Sequence, residues 1–503
     1  MTPGMHSLRL RRLGIDTHEE AVVYMRQDCH ICRSEGFSSH ARIQISSCGQ
    51  SIIATLNQIT TDLLRPHEAS LSESAWRRLG VTEGEEIHLA HAPQLDSMGH
   101  VRAKIHGLDL PEPALYGIVR DIVAGRYADV HLAAFVAICG GQNLSQREIL
   151  ALTRAMVAAG SRLTWNRQPI ADKHCVGGLP GNRTTPIVVA IAAACGLTIP
   201  KTSSRAITSP AGTADTMETL APVTLDMLAM RRVVEREGGC IVWGGAADLS
   251  PADDILVRVE RALDLDSEGQ LVASVLSKKI AAGATHLLLD VPVGPTAKVR
   301  STEDAQRLAA LLSDVGSATG LELGIVLSDG VQPVGRGIGP ALEAHDVLAV
   351  LRNEPGAPQD LRLKSSMLAG RLLELTGASP LNAGADAAAQ LIADGAALRK
   401  FEAICDAQGG MRVPPRAAHT YPVLSDRRGR LAAINNRLLA RIAKLAGAPA
   451  AKAAGVELHV RVGDAVEAGQ PLYTIHAEAP GELAYALDYV KVHAEVMQLE
   501  TPP

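Results

Sequence analysis

Aromatic residues are scarce in this chain, and several other common features are missing from it. Phe, Trp and Tyr together make up 3% of the 503 residues, which disfavours a protein that stacks aromatic side chains on nucleic-acid bases. The net charge is −5 without a long basic run, so neither nucleic acid nor an anionic membrane surface is an expected partner. No apolar run reaches the roughly 18 residues that a membrane-spanning helix needs. The arginines near the N-terminus precede no apolar segment, so no secretory signal is expected.

Cysteines are few and scattered, which predicts free thiols in a reducing compartment and a cytoplasmic location. Cys29 and Cys32 form a C-x-x-C pair. A zinc site would need a second such pair or histidines at ligand spacing, and a redox motif would need a neighbouring βαβ pattern. Neither is present, so we interpret the pair as structural and predict no metal site.

The length exceeds what one hydrophobic core can serve, and the pattern predicts an α/β protein with additional domains. Its centre is a mainly parallel sheet covered by helices, because short apolar strands alternate there with helical segments. We expect four domains: an N-terminal β-rich, barrel-like domain (1–95), a helical domain (101–168), the α/β domain (170–400) and a C-terminal α+β domain (410–503).

Periodicity places individual elements within these domains. Ser145 and Glu148 have the spacing of a capping box, which predicts the start of a helix over 144–160. Strands are predicted at 42–46, 51–56, 86–90, 241–243, 286–291 and 324–327. Helices are predicted at 111–125, 186–195, 271–282, 303–315 and 435–445, and β-hairpins over 457–476.

The stretch from Asp172 to Leu220 combines two donor-rich segments around one predicted helix. In the first segment, three glycines allow tight turns, and Thr185 is a candidate N-cap with Pro186 as the first helical residue. A glycine loop before a helix N-terminus favours an anion, and Lys173 and His174 lie beside it. The second segment, 203–213, adds hydroxyls and Arg205. Together they predict a phosphate site; the alternative is two turns rich in glycine and serine.

Further candidate residues lie later in the predicted α/β domain. Asp266 precedes a predicted helix on which Ser274 and Lys278, four residues apart, share a face. The alternative makes Asp266 a helix cap and Lys278 a solvated lysine. Lys298 follows a predicted strand on the loop at its carboxyl end, where ligands bind in open α/β sheets. It could equally be a merely exposed side chain.

These residues fall within motifs that resemble a known family. The phrases D-K-H-x-x-G-G, S-x-R and A-G-T-A-D resemble the thymidine/pyrimidine nucleoside phosphorylases, whose fold is shared with anthranilate phosphoribosyltransferase. The phrases G-G-L-P-G-N, K-T-S-S-R-A-I-T-S, A-S-V-L-S-K-K and V-G-P-T-A-K look closest to the AMP phosphorylase branch. Bacterial members of that branch are commonly called "putative thymidine phosphorylases". The resemblance covers essentially the whole chain.

The resemblance implies roles for residues at matching positions. Asp266 matches the proton donor, and His174 matches a base-facing histidine and is the alternative acid. The positions implied to bind phosphate are Lys173, Thr185, Ser203 and Thr213. The positions implied to bind the nucleoside or nucleotide are Gly178, Ser204, Arg205, Ala206, Ile207, Thr208, Ser209, Thr213, Ser274, Lys278 and Lys298.

Three positions depart from the thymidine phosphorylase pattern. Cys175 replaces a serine, which removes one hydroxyl donor for phosphate. On an ungapped alignment Val259 occupies the position of the base-binding arginine, with Arg258 and Arg261 nearby. Lys298 replaces an aromatic residue near the base. The last two weaken the thymidine interpretation, and a cation at Lys298 would suit a substrate 5′-phosphate.

The implied reaction is phosphorolysis of the N-glycosidic bond of a nucleoside 5′-monophosphate or a nucleoside. The products would be the free base and ribose 1,5-bisphosphate or a (deoxy)ribose 1-phosphate. We favour an AMP phosphorylase-like substrate; thymidine phosphorylase, a phosphoribosyltransferase and a non-catalytic nucleotide sensor are the alternatives. No cofactor is expected beyond inorganic phosphate as co-substrate. The resemblance also implies a homodimer or larger homo-oligomer.

Overall fold

The computed structural model describes residues 7–141, 143–206, 209–247, 249–263, 265 and 267–500. The chain forms two compact units. The first lies within Met1–Asn143 and Arg258–Leu265, and the second within Leu144–Val257 and Asp266–Pro503. Ile207, Thr208 and Asp266, three of the residues implied to bind or act on substrate, lie outside the described residues.

A closed β-barrel opens the first unit, with strand order β1-β5-β2-β4-β3-β6. The β-rich, barrel-like N-terminal region expected from the alternating pattern is therefore present. Its strands point apolar side chains such as Ile43 and Ile45 inward, where both are fully buried. The strands are β1 (Ser7–Leu10), β2 (Val22–Arg26), β3 (Arg42–Ser47), β4 (Gln50–Ile59), β5 (Glu68–Leu71) and β6 (Glu86–His91).

Helices complete the first unit. Its short helix α1 begins at the C-x-x-C pair: Cys29 is the N-cap, and its Sγ accepts a hydrogen bond of 3.2 Å from the backbone N–H of Cys32. Both cysteines are buried, and both are free thiols. The helices are α1 (His30–Glu35), α2 (Glu73–Leu79), α3 (Met98–Ile105), α4 (Glu112–Val123) and α5 (Asp129–Ile138).

The centre of the second unit is built from parallel strands. One sheet has the order β11-β10-β7 and another pairs β8 with β9; a parallel bridge from Ile170 to Thr198 joins them. The strand order across both sheets is therefore β11-β10-β7-β8-β9. The strands are β7 (Ala171–Cys175), β8 (Ile199–Ser203), β9 (Gly239–Trp243), β10 (His286–Val293) and β11 (Glu322–Asp329).

Helices surround these strands, and α7 is buried along most of its length. The capping box predicted at the start of α6 is confirmed, since Ser145 Oγ and the Glu148 carboxylate bond each other's backbone N–H groups. The helices are α6 (Gln146–Ala158), α7 (Thr184–Ala194), α8 (Thr213–Glu218), α9 (Met227–Glu237), α10 (Pro251–Leu263), α11 (Glu268–Ala281), α12 (Thr302–Ala318), α13 (Pro340–Leu351), α14 (Gln359–Leu375), α15 (Gly384–Ala393) and α16 (Ala396–Ala407).

Two predictions for the donor-rich stretch need correction. The expected N-cap of α7, Thr185, lies inside the first turn, because the helix begins at Thr184 with Arg183 as its N-cap. Pro186 is still tolerated, since the N–H groups of a first turn have no intrahelical acceptor. The second is the set of predicted strands, which left out residues 171–175 and 199–203; these residues form β7 and β8. These two strands contain polar side chains because their carboxyl ends form the candidate site, whereas a strand that serves only the hydrophobic core would be apolar.

The C-terminal part of the second unit contains the predicted helix and antiparallel strands. Asn435 caps α17 through hydrogen bonds from the N–H groups of Arg437 and Leu438. The sheets have orders β12-β15-β17-β13 and β16-β14-β18. The elements are β12 (Gly337–Ile338), β13 (His419–Leu424), β14 (Gly429–Ile434), α17 (Asn436–Leu445), β15 (Gly455–Leu458), β16 (Ala465–Val466), β17 (Pro471–Ala477), α18 (Pro480–Val492) and β18 (Met497–Glu500).

Candidate active site

The carboxyl ends of the parallel strands carry most of the residues that the sequence marked. Strand β7 ends at Cys175, β8 at Ser203 and β10 at Val293. The loops that follow are 176–183, which we call the glycine loop, 204–212, which we call the hydroxyl loop, and 294–300. Because parallel strands share one carboxyl edge, these loops are brought to the same side of the sheet, where open α/β folds bind ligands.

Lys173 lies on β7, and its side chain is completely buried. Its Nζ donates a 2.7 Å hydrogen bond to Oγ1 of Thr184, the first residue of α7. Burial lowers the pKa of Lys173, and the nearby Cys175 and Asp290 oppose that shift. The site therefore holds a desolvated cation beside a helix N-terminus, which is a favourable place for an anion.

The glycine loop brings two predicted site residues together. Gly178 has φ +81°, and a Cβ on it would lie 2.2 Å from the backbone nitrogen of Lys298. Only a residue without a side chain allows this approach. The loop after β10, which carries Lys298, is thus packed directly on the glycine loop. Gly181 has φ +65° and pairs with Val334 in a parallel bridge.

Buried partners surround the end of β7. The Asp290 carboxylate lies 3.3 Å from the ammonium of Lys364 and accepts a 2.5 Å hydrogen bond from Ser328. Asn182 donates to Cys175 Sγ over 3.3 Å. Burial raises the pKa of Cys175 to about 11, so the residue that replaces the family's serine is a neutral thiol.

Charges in the hydroxyl loop are paired within the protein. The Arg205 guanidinium bonds both oxygens of Glu218 at 2.8 and 2.7 Å, reaches Asp215 at 3.3 Å, and stacks 5.0 Å from the ring centre of Trp243. Arg205 and Lys452 lower the pKa of Glu218 to about 2, so its carboxylate stays charged. Arg205 therefore orders the loop through contacts that the sequence did not reveal.

Asp215 of α8 and residues of the hydroxyl loop hold the turn before α8. Asp215 accepts hydrogen bonds from the backbone N–H groups of Ala206 at 2.6 Å and Gly212 at 2.9 Å. The Ser209 hydroxyl donates to the carbonyl of Ala211 at 2.9 Å. Ser203 Oγ is buried and has no hydrogen-bond partner in the part of the chain that the structure describes. Ser204 is exposed.

Thr213 begins α8, and its Oγ1 accepts a 2.7 Å hydrogen bond from Arg183. Arg183 also bonds Glu343 at 2.6 Å and the carbonyl of Ala211 at 3.0 Å. Sequence reasoning did not identify Arg183 or Glu343. The one available signal was the position of Arg183 directly before Thr184-Thr185; its carboxylate partner lies 160 residues further along the chain.

His174 is surrounded by cations. Burial, followed by the positive charges of four lysines, lowers the pKa of His174 well below its usual 6.5. The imidazole is therefore neutral at neutral pH. The lowered pKa disfavours His174 as an imidazolium that donates a proton, and its role as the alternative acid stays a prediction. A neutral imidazole can still hydrogen-bond a base. The four lysines are Lys279, Lys201, Lys278 and Lys173.

Two of those lysines share one buried carboxylate. Asp172 lies 3.4 Å from Nζ of Lys201 and 2.9 Å from Nζ of Lys279, and all three side chains are nearly inaccessible. Burial lowers the pKa of Lys201 well below its usual value. Two lysines thus share one carboxylate beside β7 and β8, and Lys173 adds a buried amine that forms no ion pair among the described residues, which makes this sheet edge favourable for an anion.

Ser274 and Lys278 lie on α11, where their spacing of four places them on one face. Lys278 forms an ion pair with the buried carboxylate of Asp253. The alternative of a fully solvated Lys278 is therefore wrong. Among the described residues, no group of three or more histidines, cysteines or acids could hold a metal ion. None of the described helices is both long and apolar enough to cross a membrane.

Comparison with known proteins agrees with this architecture. Residues 167–398 match the "Glycosyl transferase family, a/b domain", and residues 100–160 match its helical bundle domain. Residues 431–496 match the "Pyrimidine nucleoside phosphorylase C-terminal domain". The domains are therefore those of a pentosyl-transferring enzyme family of the nucleoside phosphorylase class.

Full-length relatives define the family more closely. The chain is 60% identical over 499 residues to "Putative thymidine phosphorylase" of Polaromonas sp. (strain JS666 / ATCC BAA-500), covering 99% of this chain and 97% of that protein. It is 57% identical over 496 residues to the protein of the same name from Hahella chejuensis (strain KCTC 2396), covering 99% and 98%. The chain belongs to this thymidine phosphorylase family of nucleoside phosphorylases.

A solved structure supports the fold. Anthranilate phosphoribosyltransferase from Thermus thermophilus superposes with a TM-score of 0.50 and 22% identity, covering 61% of this chain and 99% of that one. The likeness shows a shared fold, and the predicted fold class, a helical domain with a mainly parallel α/β domain and added domains, is confirmed.

Proposed function

We propose that this protein cleaves the N-glycosidic bond of a nucleoside 5′-monophosphate with inorganic phosphate. The products are the free base and a pentose 1,5-bisphosphate, and AMP is the favoured substrate. The observation that carries the proposal is the packing of Lys298 on Gly178. This packing places the loop that carries Lys298 beside the glycine loop that follows Lys173. Each of the two lysines can then bind one anionic group of the reactants.

The chemistry follows from the charges at the edge. Phosphate attacks the anomeric carbon while the bond to the base breaks through an oxocarbenium-like transition state. Lys173 and the N-terminus of α7 hold the phosphate anion. Lys298 binds the 5′-phosphate. Asp266 remains the proposed proton donor to the departing base, because a neutral His174 has no imidazolium proton to give. This role requires the Asp266 carboxyl to be protonated in the complex with substrate, since an ordinary aspartate is ionised at neutral pH.

Phosphorolysis of thymidine is the second candidate. The names of the relatives favour it. Ser274 and Lys278, the positions that the family resemblance assigns to the base, share a helix face as that role requires. In this alternative the substrate carries no 5′-phosphate for Lys298 to bind. The two candidates therefore differ at one side chain.

The test is release of free base from AMP, CMP, UMP, thymidine and uridine, with and without inorganic phosphate. We expect phosphate-dependent release from a monophosphate and little from its nucleoside. Lys298→Met should lower kcat/KM for the monophosphate about 10- to 150-fold, the contribution of a hydrogen bond to a charged group, and leave the nucleoside rate unchanged.

Arg300→Met is the matched control, because Arg300 is an exposed cation on the same loop. It should behave as the unsubstituted protein does. Release from thymidine alone, or an equal loss for nucleoside and monophosphate in Lys298→Met, would replace the nucleotide proposal with the thymidine one. No phosphate-dependent release from any compound would favour a phosphoribosyltransferase or a nucleotide sensor.

A further inference from the structure

We propose that Arg183 is a positioning residue that ties the glycine loop to the hydroxyl loop and directs the hydroxyl proton of Thr213 toward the bound phosphate. The proposal rests on the function proposed above, because it assigns a partner to one of the phosphate-side hydroxyls. The juxtaposition that carries it is Arg183, at the start of α7, reaching Thr213, at the start of α8.

Each of the three nitrogens of the Arg183 side chain already has a protein acceptor. The side chain is 11% exposed. Nε bonds Glu343 at 2.6 Å, Nη1 bonds Thr213 Oγ1 at 2.7 Å, and Nη2 bonds the carbonyl of Ala211 at 3.0 Å. These three hydrogen bonds fix the orientation of the guanidinium between its protein partners, so we assign its effect on a ligand to the partner that it orients, Thr213.

Glu343 holds Arg183 in this geometry. Its buried carboxylate accepts further hydrogen bonds from Thr216 Oγ1 at 3.1 Å and from the backbone N–H of Gly339 at 3.2 Å. A buried ion pair is tolerated only when additional hydrogen bonds satisfy its remaining atoms, and this one has them. The guanidinium fork is thereby fixed between α13 and the hydroxyl loop.

The hydrogen bond from Arg183 determines which way the Thr213 hydroxyl can donate. The guanidinium has only donors, so Thr213 Oγ1 must accept, and its own hydrogen points elsewhere. Across the described part of the chain that hydrogen has no protein acceptor. Lys173 and Thr184 form the same arrangement at the start of α7. At each helix start, a buried cation orients a threonine hydroxyl as a donor for an anion.

A double-mutant cycle separates positioning from a structural role. Inorganic phosphate is the probe, with its Kd measured by calorimetry on the full chain and its KM measured in the base-release assay. Thr213→Val should raise the phosphate Kd about tenfold, and Arg183→Lys, which keeps the charge but not the fork, should do the same. If Arg183 acts through Thr213, the double variant should match Thr213→Val alone.

Rescue and control variants sharpen the cycle. Thr213→Ser keeps the hydroxyl and should keep the phosphate Kd. Arg371→Lys changes an exposed arginine that pairs with Glu374, and it should change nothing. If Arg183→Lys does not fold, the cycle uses the double variant Arg183→Met with Glu343→Leu in its place. That variant removes both charges of the buried ion pair together.

The outcomes distinguish this inference from the proposed function. Multiplied effects in the double variant, an unchanged Kd in Arg183→Lys, or no phosphate binding by the unsubstituted protein would each overturn the positioning role. Phosphate binding with full coupling between Arg183 and Thr213, but no base release from any nucleoside or nucleotide, would overturn the proposed reaction and leave the positioning role standing.

Discussion

The glycine loop and the hydroxyl loop leave the same sheet edge, yet they handle charge in opposite ways. Beside the glycine loop, Lys173 donates to a neutral threonine hydroxyl and, within the described residues, forms no ion pair. In the hydroxyl loop, Arg205 is bonded to two carboxylates and stacked on Trp243. A cation paired with hydroxyls remains available to an incoming anion, whereas one paired with carboxylates is already neutralised.

This difference in charge pairing indicates different roles for the two loops. The glycine loop leads into the N-terminus of α7 beside Lys173, and this is where we propose that inorganic phosphate binds. The hydroxyl loop is held in one conformation by hydrogen bonds to Asp215 of α8. Glu218 of α8, which binds Arg205 of this loop, also forms an ion pair with Lys452 of the C-terminal part, with 2.8 Å between Oε2 and Nζ. Substitutions at the two loops should therefore change different measured quantities: turnover with phosphate for the glycine loop, and substrate KM and stability for the hydroxyl loop.

The largest effect is expected for Lys173→Met. Loss of this buried cation should lower kcat/KM for phosphate-dependent base release about 100- to 1,000-fold, the range for removing one electrostatic donor from a reaction centre. Thermal stability should hold or rise, because burial already opposes the charged form of Lys173 and a methionine of similar shape carries no charge.

Lys364→Met is the matched comparison for that substitution. Lys364 pairs with the buried carboxylate of Asp290, so its loss leaves a buried charge without its cation. We expect a fall of roughly 3–5 kcal/mol in the free energy of unfolding. Turnover that survives in Lys173→Met, or equal loss of stability in the two variants, would remove the distinction between a cation held for a ligand and one held for the fold.

A smaller effect, of the opposite kind, is expected for Arg205→Met. Its contacts are partly exposed, so the free energy of unfolding should fall by about 1 kcal/mol, and the loop should lose order. The phosphate Kd should stay within about threefold, while KM for the nucleoside or nucleotide rises. Calorimetry with phosphate and steady-state kinetics measure the two quantities separately. A phosphate Kd raised tenfold or more would show that Arg205 also binds phosphate.

Local signals in the sequence predicted a good part of the fold. The capping box at Ser145 and Glu148 and the apolar strands of the central sheet are short-range patterns, and the structure contains them. The glycine loop was also predictable, because Gly177, Gly178 and Gly181 all adopt positive φ. Each of these features depends on residues close together in the chain, so the sequence displays it directly.

Features that depend on distant partners were not predictable. Strands β7 and β8 carry polar residues such as Lys173 and Ser203, which resemble a loop until neighbouring strands bury them. Nothing local marks Arg183 as the partner of Glu343, or Arg205 as neutralised by Glu218. The acid–base behaviour of His174 likewise depends on lysines from several elements. Such roles follow from tertiary packing, which no short motif records.

The smallest kinetic effect concerns His174 and pH. Burial and neighbouring lysines hold its pKa well below 6.5, so the imidazole stays neutral across the neutral range. The pH profiles of kcat/KM for the unsubstituted protein and for His174→Gln should therefore have the same shape between about pH 6 and 8. An acid limb near pH 6.5 that disappears in His174→Gln would show that the imidazolium does donate a proton.

The titration of His174 should change the free energy of unfolding, although it should not change activity. The unfolded chain binds the His174 proton at about pH 6.5, whereas the folded chain binds it only at lower pH, so the unfolded state holds more protons in between. The stability tied to the neutral imidazole is thus fully present above pH 6.5 and is lost as the pH falls toward the folded-state pKa. Denaturant unfolding should show a steeper loss below pH 6.5 than in His174→Gln, by at most about 1.4 kcal/mol per pH unit. Equal slopes would mean that the lysines around β7 impose no positive potential on the ring, and the contrast between the two loops would lose its electrostatic basis.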